Sequence, residues 1–203
     1  MKDNNVYAQS HLEFITIAVA YCSYLEEIAE ESALDFVRKT DKILPLLYLK
    51  ASLVEIPERL YEEGVESFVT EEEYESKKEE IANLLGRFDA YLETVDDEMQ
   101  FSDTPIVATI SENLTDVYQD VKDFAMNYRL GNEQVMNDAL ANCMENFQQY
   151  WGQKLLNALR ALHMVLYKSD IENETKIEEN STKKKENFVD FLRHDESDYS
   201  QLL

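Results

Sequence analysis

Three glutamates open the chemical reading of this chain. Glu26, Glu27 and Glu30 stand as E-E-x-x-E in "EEIAE". Carboxylates four apart on one helix face, joined by others from a facing helix, can share a hard cation that prefers oxygen ligands. Such a cation activates water and neutralises phosphate charge. Acids that could answer them occur later, as Glu112-x-x-x-Asp116 and Asp120-x-x-Asp123. The competing reading is an ordinary solvated helix end, because 42 of 203 residues are Asp or Glu and such spacings arise by chance.

A second set of residues is basic. From Asn146 to Ser169 there is no acid at all, yet this stretch holds Lys154, Arg160 and His163. Lys50 lies in another acid-free run, "KILPLLYLKASLV". Opposite the apolar stripe through Trp151 come Gln149, Gln153, Asn157 and Arg160, polar but never acidic. Burial on most sides would explain this, since an uncompensated buried carboxylate costs several kcal/mol. On that expectation Arg160→Ala lowers stability by a few kcal/mol. Gly152 fits the same idea, as a place where a neighbouring helix comes close.

Buried cations need partners, and Glu112, Asp116, Asp120 and Asp123 step by four, four and three along one helix edge. Asp116 or Asp120 is expected to pair with Lys154 or Arg160. The network either sets helix register or forms a polar pocket in which Lys50, Lys154, Arg160 and His163 receive an anionic ligand and Asp120 orients one of them.

The elements that must position these residues are helical. Four glycines and three prolines leave few tight turns. We expect an all-α fold, an antiparallel bundle of about five helices with a long C-terminal spine and a flexible acidic tail. The first helix covers 6–30, with Phe14, Ala18, Tyr21, Leu25 and Ile28 on one face. Ser32 caps the second, which Pro45 should bend or break. A polar connection follows at 55–69. Thr70 and Glu73 form a capping box for the third helix, which Gly86 ends. The stretch 87–103 reads as an irregular link. Pro105 suits the first turn of the fourth helix, and Gly131 ends it. The fifth runs unbroken from 133 to 167, roughly 50 Å at about 1.5 Å per residue.

Domain organisation follows composition: a bundle at 1–168, a charged disordered linker at 169–187, and a tail at 188–203 with the apolar motif Phe188, Val189, Phe191 and Leu192.

The formal net charge of -23 repels phosphates, so neither nucleic acid nor an anionic membrane surface is an expected partner. The start lacks a signal-peptide pattern, and no run of about 18 apolar residues occurs. Cys22 and Cys143 read as two buried thiols in a reducing cytoplasm. A zinc cluster, a glycine-rich phosphate loop and G-x-S-x-G are all missing, and no cysteine has a basic neighbour in sequence. Di-iron chemistry wants Glu-x-x-His on two helices, which His11, His163 and His194 do not supply.

Two resemblances bear on function. "PLLYLKAS" (45–52), "VYQDVKDF" (117–124) and "YWGQKLLNALRALH" (150–163) resemble the signature segments of a bacterial family of uncharacterised proteins, a domain-of-unknown-function family. The resemblance covers 12–167 and implies an all-helical cytoplasmic domain, with no assigned activity, cofactor or catalytic residue. The glutamate motif resembles that of all-helical nucleotide pyrophosphohydrolases of the MazG and dUTPase-like type, which hold magnesium, but the second half departs from their E-x-x-D. The reading is therefore a non-catalytic interaction or ligand-binding module without a cofactor, taking a protein partner or a small anionic ligand. Its alternative is a magnesium-dependent hydrolase using Glu26, Glu27, Glu30, Asp120 and Asp123.

Overall fold

The structure is a computed structural model and describes residues 6–61, 64–93 and 106–172. Helix α1 (Gln9–Glu26) is followed by a 3₁₀ turn (Ile28–Glu30) and α2 (Ala33–Ser52). Helix α3 (Glu71–Leu85) leads through a 3₁₀ turn (Gly86–Phe88) into β1 (Ala90–Leu92). Strand β2 (Val107–Thr109) runs directly into α4 (Ile110–Arg129). Helix α5 (Glu133–Asn146), a π turn (Phe147–Trp151) and α6 (Gly152–Lys168) then follow without a break.

This is a packed helical bundle. Helix α4 lies at its centre, against α1, α3, α5 and α6. The Phe14 ring stacks on Phe124 at 5.1 Å and faces Trp151 at 6.5 Å, so three helices meet in one aromatic core. The buried Tyr21 hydroxyl donates to the Leu114 carbonyl at 2.8 Å, which satisfies a polar group that burial would otherwise penalise.

Several local expectations hold. Thr70 Oγ1 accepts from the Glu73 amide at 3.2 Å, and the Thr70 amide donates to Glu73 Oε2 at 2.9 Å, completing the capping box. Gly86 and Gly131 end their helices at φ 53° and 74°, where a side chain would be strained.

Others are corrected. The first helix stops at Glu26 and tightens into a 3₁₀ turn. Helix α2 runs through Pro45 without breaking. The supposed irregular link contains β1, which pairs antiparallel with β2 in the register Ala90↔Thr109, Tyr91↔Ala108 and Leu92↔Val107. The fourth helix starts at Ile110, capped by Thr109, and Pro105 lies outside the described residues.

The spine is continuous but not uniform. In the π turn the Gly152 amide donates to the Phe147 carbonyl five residues back. A Cβ on Gly152 would meet that carbonyl oxygen at 2.4 Å and the Phe147 ring at 2.9 Å. Gly152 thus makes room for its own helix, not for a neighbouring one. The turn also places the Trp151 indole N–H on the Cys143 carbonyl at 2.9 Å.

The loop at 55–69 is tied down by carboxylates. Asp138 accepts from the amides of Leu60 and Tyr61 at 2.8 and 2.9 Å. Asp123 accepts from those of Phe68 and Val69 at 2.6 and 2.9 Å and from the Ser67 hydroxyl. Beyond α6, Ile171 is buried and Glu172 pairs with Arg38 of α2 at 2.8 Å. The linker from residue 173 onward and the tail with Phe188, Val189, Phe191 and Leu192 lie outside the described residues.

Candidate functional site

The acidic edge of α4 is exposed at Glu112, while Asp116, Asp120 and Asp123 are buried or half-buried and held by protein donors. Asp116 is buried, accepts from the Tyr74 hydroxyl at 2.7 Å and has Lys154 Nζ at 3.4 Å, the pairing that the spacing had suggested. Asp120 accepts from Asn146 Nδ2 at 2.6 Å. Burial pushes its carboxyl up to about 6 from an ordinary 3.8; the Asn146 hydrogen bond opposes this, while Asp123 and Asp116 reinforce it. Asp120 lines a polar cavity of about 380 Å³ with Gln119, Asn142, Asn146 and Tyr150.

The basic residues do not converge on this edge. Lys50 pairs with Glu13 of α1 at 2.7 Å, on a different face of the bundle. Arg160 and His163 are exposed on the α2–α6 side. So the five residues expected at one pocket occupy three places. Asp120 and Lys154 sit near the π turn, Lys50 against α1, and Arg160 with His163 on the outer face of α6. The burial explanation for the acid-free helix is corrected with them, because Gln149, Gln153 and Arg160 are all exposed.

The glutamate motif straddles a helix end. Glu26 closes α1, Glu27 is its C-terminal cap, and Glu30 lies in the 3₁₀ turn, so they do not share one helical face. Glu26 accepts from the Tyr118 hydroxyl at 3.0 Å and pairs with Lys122. Asp123 is spent on the loop amides. Among the described residues no group of three or more Asp, Glu, His or Cys side chains is placed to hold a metal ion.

Exposure redirects attention to α6. Leu156, Arg160, Met164 and Lys168 step by four along its outer face, beside His163 and Tyr167. Leu156 and Met164 are 44% and 47% exposed, so this stripe is a surface of mixed apolar and basic character. Arg160, Met164 and Lys168 form a ridge between two hollows. One, of about 440 Å³, lies against the strand pair, with apolar walls from Phe88, Leu92, Ile110 and Val165. Its floor holds buried Glu93, which accepts from Asn157 Nδ2 at 2.9 Å and the Tyr91 hydroxyl at 3.1 Å. The other, a groove of about 620 Å³ between α2 and α6, adds Asp41, Pro45, Leu159 and His163. Among the described residues neither Arg160 nor Lys168 forms an ion pair, although acids outnumber bases 42 to 19 in the chain.

Sequence reasoning singled out Arg160 and His163 but missed Leu156, Met164 and Lys168. The signal was present as a second four-residue period, running beside the Trp151 stripe.

Comparison with known proteins agrees with this fold. The model of a family described as a domain of unknown function, DUF5063, matches residues 5–168, and the chain belongs to that family. The crystal structure of protein BF1032 from Bacteroides fragilis is 42% identical, with a TM-score of 0.72. The match covers 81% of this chain and 97% of that one. No curated protein matches the chain.

Proposed function

We propose that this member of the DUF5063 family is a non-catalytic binding module whose α6 face receives an anion carrying an apolar body. The observation that carries the reading is Arg160. It stands exposed and without an ion pair among the described residues, on a ridge shared by an apolar hollow and a groove. In so acidic a chain, a patch where Arg160 and Lys168 outnumber the groove's one acid, Asp41, and neither forms an ion pair among the described residues, attracts and orients a negatively charged partner. Leu156, Leu159 and Met164 supply the apolar contact that gives such an encounter residence time.

No metal or cofactor enters this reading, and magnesium chemistry is not carried forward because Glu26, Asp120 and Asp123 are already engaged by protein donors. Nucleic acid and anionic membranes are not its partners, given the net charge of -23. No helix among the described residues is long and apolar enough to cross a membrane. Two buried, unpaired thiols, Cys22 and Cys143, support a reducing, cytoplasmic setting.

Dodecanoate, one carboxylate on an apolar chain, is the test probe. Calorimetric titration is expected to give saturable binding that weakens at least tenfold in the double variant Arg160→Glu, Lys168→Glu. Equal binding of dodecyltrimethylammonium, or dodecanoate binding unchanged in the variant, would sink the proposal.

A further inference from the structure

We infer that the groove between α2 and α6 has a resident occupant, the segment 186–198 of the same chain. The inference rests on the anion-binding reading of α6 and names what fills that face in the isolated protein.

The exit path comes first. Helix α6 returns along α2, and beyond its end Ile171 is buried while Glu172 is paired to Arg38 near the start of α2. The chain therefore leaves the bundle over the α2–α6 seam, at the end of the groove that Asp41 and Lys168 line. Arg160 lies eight residues back along α6, about 12 Å at 1.5 Å rise per residue. A flexible chain as long as the thirteen residues 173–185 has a root-mean-square span of roughly 20 Å. A tether of that length reaches across the distance, and a short tether that reaches gives an effective concentration on the order of millimolar.

Chemistry comes second. Segment 186–198 places Phe188, Val189, Phe191 and Leu192 among Glu186, Asp190, Asp195, Glu196 and Asp198, with Arg193 as its one Lys or Arg. The groove offers Pro45, Leu156, Leu159 and Met164 for the apolar side chains and Arg160 and Lys168 for the carboxylates, with Asp41 its one acid. Lys183, Lys184 and Lys185 fall in the tether and leave the docking segment acidic. The family match ends at residue 168, so this occupant is an addition outside the shared domain.

The experiment uses the full chain with a benzophenone amino acid at position 191 in place of Phe191. Irradiation at low protein concentration is expected to give intrachain cross-links mapping to 41–45 and 156–164. Their yield should fall several-fold when Arg160→Glu is added. Cross-links scattered over other surfaces, or formed between two copies, would overturn the inference. A full-length Phe188→Ser, Phe191→Ser variant separates the two proposals. If the segment occupies the groove, this variant binds dodecanoate several-fold more tightly than the parent chain. Groove cross-links with no dodecanoate binding to either protein would uphold the segment and refute the broader reading. Dodecanoate binding of equal strength to both proteins, with no groove cross-links, would do the reverse.

Discussion

Helices α4 and α6 are neighbours that treat their charges in opposite ways. Three of the four acids of α4 turn inward: Asp116 to Tyr74 and Lys154, Asp120 to Asn146, Asp123 to a loop backbone. The outer cations of α6 turn to solvent, and Arg160 and Lys168 pair with nothing among the described residues. On these two helices the buried acids therefore hold the structure together, and the exposed cations Arg160 and Lys168 are left available. Lys154 shows that position decides this, not residue type. It lies six residues before Arg160 on the same helix but is drawn to Asp116 and over the Tyr150 ring at 5.3 Å.

The contrast breaks most visibly at the inward acids. Asp138 of α5 belongs with them, being buried and holding two loop amides. Asp138→Ala leaves those amides without their acceptor and is expected to cost about 3 kcal/mol, read by urea denaturation. Next comes Gly152→Ala. Its Cβ would collide with backbone, and the expected loss is about 2 kcal/mol with a lower melting temperature.

Asp120 gives a smaller, pH-dependent effect. Its carboxyl titrates near 6 when folded and near the ordinary 3.8 when unfolded. The folded state therefore binds the proton more tightly between those values. The contribution to stability is fully present below about 4 and is lost as pH rises through 6. Water at the cavity mouth screens the charge, so Asp120→Asn is expected to stabilise the protein by roughly 1 kcal/mol at pH 7 and by nothing at pH 4. Denaturation curves at both pH values check it.

Arg160→Ala is the smallest change in stability, expected within about 0.5 kcal/mol because the side chain is exposed and unpaired. A loss of several kcal/mol would put Arg160 back inside a buried network and remove the contrast.

Much of the fold was legible in the sequence because periodicity and capping are local. The stripe through Phe14, Ala18 and Tyr21 is buried, and Thr70 with Glu73 forms the box that its spacing announces. The two three-residue strands were not legible, since "AYL" and "VAT" are too short to show a period of two. The site was half legible. Acid-free composition drew attention to α6, but composition does not say which way a helix faces. Burial and a solvent-facing docking stripe both remove carboxylates, and only the packing against α2 separates them. The roles of Asp123 and Asp138 depend on loop amides distant in sequence, to which no local pattern points.

The π turn has a consequence for how the chain can vary. It is equivalent to an α-helix that has absorbed one extra residue, and each residue turns a helix by about 100°. Everything after Gly152 is therefore dialled round by that amount relative to α5. A regular helix through the same residues would swing Leu156, Arg160, Met164 and Lys168 to another bearing, whereas deleting Gln148 or Gln149 would remove the π turn and keep them where they are. One residue of length thus works as a phase setting between the half of the spine that clamps a loop and the half that faces outward.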